Sequence, residues 1–168
     1  MQPLTRVSHE HHDLLWRYLS QLSDLADCLN SDCLDSAQLV TEVPQLRKVR
    51  DGLTNWLIPH MDAVEAAVHP TLERLLAARG TSVPMAVEHQ EIRRLVAALG
   101  TFTDDDPAAL ADRMAVLALR RVLLRLHALL KTHLSEEELY IPILEERLTP
   151  AQEAALARAL DHQAAERL

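Results

Sequence analysis

Leu4, Val7, Leu14, Tyr18, Leu22, Leu25 and Leu29 recur at steps of three, four and seven, a period that a helix gathers onto one face and a strand does not. The same spacing returns in Leu39, Val43, Leu46, Val49, Leu53 and Leu57, in Met85, Ile92, Val96 and Leu99, and in Leu117, Leu124, Leu126, Leu130 and Leu144. Three Gly, one Phe, two Trp and two Tyr in 168 residues leave a composition that favours long helices over sheet. The breaks predict helices over Leu4–Asn30, from Ser36 to Ala78 with a stop at Gly80, from Thr81-Ser82 to Gly100, and from Asp106-Pro107 onward. Pro59 is expected to bend the second helix and Pro142 to kink the fourth, while Thr149-Pro150 opens a last helix to about Arg167. The expected class is all-α: an up-down four-helix bundle over residues 1–148 with a short additional C-terminal helix over 149–168.

Charge narrows the partners. Lys plus Arg number 17 against 25 Asp plus Glu, a formal charge of −8, which argues against nucleic acid or an anionic membrane surface as partner. No apolar run reaches the ~20 residues of a membrane span, and the amino terminus lacks a secretory pattern. Cys28 and Cys33 are too few for a disulfide scaffold and read as ordinary thiols. A soluble, cytoplasmic protein is expected.

Chemistry enters through the histidines. Each long helix carries one at a stripe position otherwise held by Leu, Val or Ile: His11, His60, His89 and His133. A buried imidazole needs a partner, and a central metal ion supplies all four at once. His133 and Glu137 lie four apart, about 40° around a helix, so both can point at one ion. Nitrogen and carboxylate donors suit iron, manganese or zinc better than calcium or magnesium. The chain also repeats weakly. Glu10 to Leu14 resembles Glu88 to Ile92, and Glu65 to Leu76 resembles Glu137 to Leu148 at an offset of 72, so two similar hairpins should face each other.

Other polar residues have plainer expectations. His12 lies off the stripe and is expected at the surface or behind a ligand, with replacement of His11 left open. His69 is expected at a helix end before Pro70, His127 in packing, and His9 and His162 in solvent. Asp62, Glu136 and Glu138 are expected to be exposed, with Glu136 able to orient an imidazole. Trp16, Trp56 and Tyr140 are expected in the core or an interface, Tyr140 one turn beyond Glu137 on the open side of the site. Asp104 to Asp106 favours the positive end of the helix that follows.

From about His9 to Leu148 these residues resemble the hemerythrin-like HHE cation-binding domains. The pattern is His, then His-x-x-x-Glu, then the same again, and it includes Leu57-Ile58-Pro59-His60, Glu88 to Ile92 and His133 to Glu137. The resemblance implies His11, His60, His89 and His133 as ligands, with Glu137 as carboxylate. It also implies two irons bridged by two carboxylates, with a position open to dioxygen or a related small molecule. One position departs from the pattern: four residues after His60 stands Val64, and the nearest carboxylate is Glu65. A five-residue step turns about 140° around an ideal helix. Family members with such a step in the fourth helix, the distortion Pro59 permits, and the pairing of Glu65 with Glu137 keep Glu65 in the ligand set, through a π-bulge that admits the extra residue. The expected metal set is therefore His11, His60, Glu65, His89, His133 and Glu137, holding iron, with zinc as the alternative. The expected role is binding or sensing of O2, NO or peroxide; catalysis is less favoured, because neither a proton donor nor a substrate cavity is evident, but a peroxide- or NO-handling activity stays open. The alternative is a structural or regulatory bundle with a zinc or mononuclear site, or none, because of Val64.

Overall fold

The computed structural model describes residues 3–29, 36–103 and 112–165. Asn30, Cys33, Asp104 to Asp106, Pro107, Arg167 and the side chain of His162 lie outside the described residues. Within them α1 spans Pro3–Cys28, α2 Ser36–Gly52, α3 Ile58–Ala63, α4 His69–Leu76, α5 Val83–Thr103, α6 Arg113–Arg147 and α7 Pro150–Ala165. Two π turns, Leu53–Leu57 and Val64–Val68, join α2, α3 and α4 into one continuous rod, with helical backbone angles across each junction. No strand occurs among the described residues, and none of their helices is long and apolar enough to cross a membrane.

Both π turns end two residues before a proline, Pro59 and Pro70. Proline has no N–H for the i→i−4 bond, and its ring crowds the carbonyl one turn earlier. The wider turn resolves this, with Ile58 N–H donating to the Leu53 carbonyl and His69 N–H to that of Val64. The bend expected at Pro59 is thus preceded by an inserted residue in the helix. The rod stops before Gly80: Ala77 takes the left-handed cap at φ 50° and ψ 30°. The Ala77 and Ala78 N–H groups then bond the Arg74 and Glu73 carbonyls, while Gly80 lies in the connection and donates to Glu73 Oε1. Helix α5 runs past Gly100 to Thr103, where Arg47 Nη2 donates to the terminal carbonyl at 2.6 Å. Thr149 and Gln152 form a reciprocal cap at the start of α7, as the Thr-Pro signal implied.

Neighbouring rods run antiparallel. Arg120 reaches the Ala26 carbonyl while His12 meets Glu137, which sets α1 against α6. Glu91 pairs with Arg125 and Glu88 with His133, which sets α5 against α6. Arg47 meets Thr103 and Glu65 meets His89, which sets the α2–α4 rod against α5. Helix α7 packs on α1, α3 and the second π turn. Glu153 on α7 is buried and accepts from the Leu4 N–H at 3.2 Å, so one helix caps the orphan donors of another.

The apolar interior is divided. The larger cluster includes Leu15, Leu19, Leu22, Leu53, Leu57, Leu95, Leu126 and Leu130. The smaller one joins Leu4, Val7, Val64, Val68, Leu72, Met85 and Leu144 to Leu156 and Leu160 of α7. Two stripes hold except at two positions each: Leu15 and Leu19 are buried while Leu14 and Tyr18 are half-buried, and Leu119 and Leu123 are buried while Leu117 and Leu124 are exposed. Adjacent leucines cause this, since neighbours differ by about 100° around the helix and period alone does not choose between them. Trp16, expected in a core or interface, is 45% exposed.

Candidate metal centre

Between the two apolar clusters lies a polar layer. Helix α1 contributes His11 and His12, α3 contributes His60, α4 His69, α5 His89, and α6 His133 and Glu137; all seven are buried. Glu137 stands at the middle. Its Oε1 lies 3.5 Å from His60 Nε2 and 3.4 Å from His133 Nε2, and its Oε2 lies 3.4 Å from His12 Nε2. His11 and His60 meet edge to face with ring centres 4.9 Å apart, and His89 and His133 do the same at 4.8 Å. Trp56, in the first π turn, stacks on His60 at 5.4 Å and 4°.

Outer groups brace this layer. Glu65 Oε1 lies 2.7 Å from His89 Nδ1 and accepts from Arg93 Nη1 at 2.9 Å, while Arg93 Nη2 donates to Asp62 at 2.6 Å. Glu88 faces His133 Nδ1 and Glu138 faces His12 Nδ1, each at 3.6 Å. His69 stacks on His89 at 5.6 Å and brings Nε2 to 3.2 Å from the Met85 sulfur. A cavity of about 40 Å³ adjoins the layer, bounded by Leu4, Val68, Tyr140, Ile141, Leu144 and Leu160 as well as by Glu137.

Burial decides most protonation states. It pushes His11 down to about 4, with the His60 ring adding to the effect, and pushes His89 down to about 4 with the His133 ring adding. Both imidazoles are therefore neutral at pH 7 and keep a lone pair. His69 is lowered by burial as well. Burial would lower His133 too, but Glu137 and then Glu88 outweigh it and raise the ring. Burial would raise Glu137, yet His60 and His133 hold it well below the usual carboxylate range. Glu65 likewise would rise by burial, but its bonds from His89 and Arg93 bring it down.

The donor set fits a metal cation. His60 Nε2, His89 Nε2, His133 Nε2 and Glu137 Oε1 are buried and have no hydrogen-bond partner, a concentration of orphaned acceptors that an apolar interior does not tolerate. Among the described residues, donor atoms of His89, His133 and Glu137 all lie within 4.8 Å of one another. The profile of the hemerythrin HHE cation-binding domain matches residues 2–144. The chain belongs to that family. No curated protein and no solved structure matches it.

The layer of this hemerythrin HHE domain buries six imidazoles and the carboxylate of Glu137. Of the residues singled out by sequence, the structure brings His60, His133 and Glu137 into one group, sets His89 beside His133, and stacks His11 on His60. It places Glu65 on the outer side of His89, with a side chain 36% exposed. Three residues were misread. His12 is buried against Glu137 and not at the surface; the Leu14-Leu15 doublet hid that Leu15, three residues on, is the buried one. His69 is buried in the rod because the π turn carries the helix through Pro70. Glu88, not Glu136, faces His133, and its place beside His89 in the Glu88-His89 pair was the available signal. Trp56 and Tyr140 are half-buried at the layer as expected, His9 is exposed, and His127 is half-buried away from it.

Proposed function

We propose that this hemerythrin HHE domain holds iron, two ions, in the layer between its apolar clusters and uses it to bind or sense a small oxidant such as O2, NO or peroxide. The observation that carries the reading is the set of orphaned Nε2 atoms of His60, His89 and His133 around the unsatisfied Oε1 of Glu137. His11 and His12 on α1, His60 on the second rod, His89 on α5 and His133 on α6 would supply nitrogen, and Glu137 would lie between the two histidine groups. The alternating directions of the four long rods support an up-and-down four-helix bundle around this centre, with α7 added to it. Iron with an open position supplies reversible binding of a small ligand or electrons for its reduction. The chain's own part is to keep His11 and His89 neutral, to hold Glu137 ionised without water, and to limit what enters. A cavity of about 40 Å³ exceeds the ~10–15 Å³ one water needs, which leaves room for a diatomic or triatomic ligand. The polar rings sit under apolar walls that slow water and protons.

A zinc centre is favoured by one observation: Val64, where the pattern expects a carboxylate, is buried in the smaller apolar cluster. Metal analysis of protein purified without added ions separates the two. About two irons per chain with visible absorption supports the proposal, whereas colourless protein with zinc overturns it. His133→Ala is expected to lower metal content and thermal stability together, because ligation stabilises only the folded chain.

A further inference from the structure

Four imidazoles of the layer share an orientation, while His69 turns Nε2 to Met85 and His11 buries an unpartnered Nδ1. The Nε2 atoms of His12, His60 and His133 face Glu137, and that of His89 is buried without a partner. Where Nδ1 has a carboxylate beside it, that acid stands outside the layer: Glu138 for His12, Glu88 for His133 and Glu65 for His89. Glu65 thus takes the place behind an imidazole that Glu88 and Glu138 take, and its contact is the shortest of the three. Exposure separates the groups in the same way. The side chains of Glu65, Glu138 and Glu88 are 36%, 52% and 18% exposed, against 10% for Glu137.

Glu65 is also held where it is. The atom that meets His89 accepts from Arg93, whose other nitrogen donates to Asp62. Arg93 is always cationic and cannot ligate a metal, so carrying Glu65 inward would break two charge-assisted hydrogen bonds at once. We propose that Glu65 is the positioning residue of His89, clamped by Arg93 and Asp62, so that His89 offers Nε2 to the metal and Glu137 is the sole carboxylate among the ligands. An ionised carboxylate only accepts, so the proton of His89 sits on Nδ1 and the lone pair on Nε2. The arrangement fixes the ring and raises its basicity as a ligand. The inference rests on the metal-binding reading above.

The test uses the full chain as wild type, Glu65→Gln, Glu65→Leu and Glu137→Gln. Each is titrated anaerobically with Fe(II) and counted for bound iron, with circular dichroism confirming the fold. Nitrogen-15 NMR of the metal-free proteins reads the tautomer of His89. Glu65→Gln keeps an acceptor for Nδ1–H and should retain the wild-type iron count with affinity within about threefold, whereas Glu65→Leu should weaken binding about 10–100-fold at the same count. Glu137→Gln should lose iron. His89 should carry its proton on Nδ1 in wild type and Glu65→Gln and lose that preference in Glu65→Leu. Loss of an iron per chain in Glu65→Gln, or a proton on Nε2 of His89 in wild type, overturns the proposal. Wild-type protein that takes up no iron defeats the metal reading, and the tautomer still decides the role of Glu65.

Discussion

His11 and His89 are neutral in the fold down to about pH 4, but in the unfolded chain they titrate near 6.5. Between those values the unfolded state binds protons that the folded state refuses, so stability must fall as pH falls through the window. The slope is up to about 1.4 kcal/mol per pH unit for each group. His133 does not offset it, because a raised group loses its contribution only as pH rises above 6.5. Urea midpoints of metal-free protein at pH 6.5, 5.5 and 4.5, a range over which His133 contributes a nearly constant amount, should decrease in that order; a flat series would contradict the neutral, buried rings. Trp56 offers a second residue-level reading. Stacked on His60, it should lose emission when Fe(II) is added, and Trp56→Phe should remove most of that change. Trp16, 45% exposed, should contribute little, so a Trp16→Phe protein that loses the signal instead would move the metal away from His60.

Among the elements, the second rod ends on the one non-glycine residue with a positive φ among the described residues. Ala77 caps it in the left-handed region, where a Cβ costs about 1–2 kcal/mol. Ala77→Gly should therefore raise stability by about 1 kcal/mol and the melting temperature by about 2–4 °C, and no rise in a thermal scan would show that the cap is not strained. This rod also marks where sequence reading stopped working. Helix type and the four stripe histidines were legible because Leu, Val and His recur with the helical period. The step from His60 to Glu65 suggested a π-bulge, and a π turn is present at Val64–Val68. Its consequence was not legible: the turn leaves Glu65 beside Arg93 and Asp62, contacts that depend on how α5 lies against the rod. His12 was missed for a related reason, since the helical period alone does not choose between Leu14 and Leu15 as the buried leucine. Gly80 was the expected stop because glycine is the usual residue at a helix end; the left-handed cap falls instead on Ala77, where the Ala77 and Ala78 N–H groups meet the Arg74 and Glu73 carbonyls.

At the scale of the molecule, α7 closes the end of the layer. Leu156 and Leu160 are buried and Leu160 bounds the cavity, while Glu153 holds the Leu4 N–H. Two buried leucines contribute about 1.5–3 kcal/mol each, so a chain ending at Thr149 should melt at least about 6 °C lower and release Fe(II) to a chelator faster. Equal melting temperature and release rate would show α7 to be an appendage. Leu160→Ala alone should enlarge the cavity and cost about 2–5 kcal/mol, and azide should then reach the loaded protein faster than in wild type. Helix α7 covers the first turn of α1, so the last described helix packs against the first. During synthesis the imidazoles from α1 to α6 leave the ribosome before the segment that shuts them in. A cation held in the layer would therefore be enclosed only after α7 itself has been made.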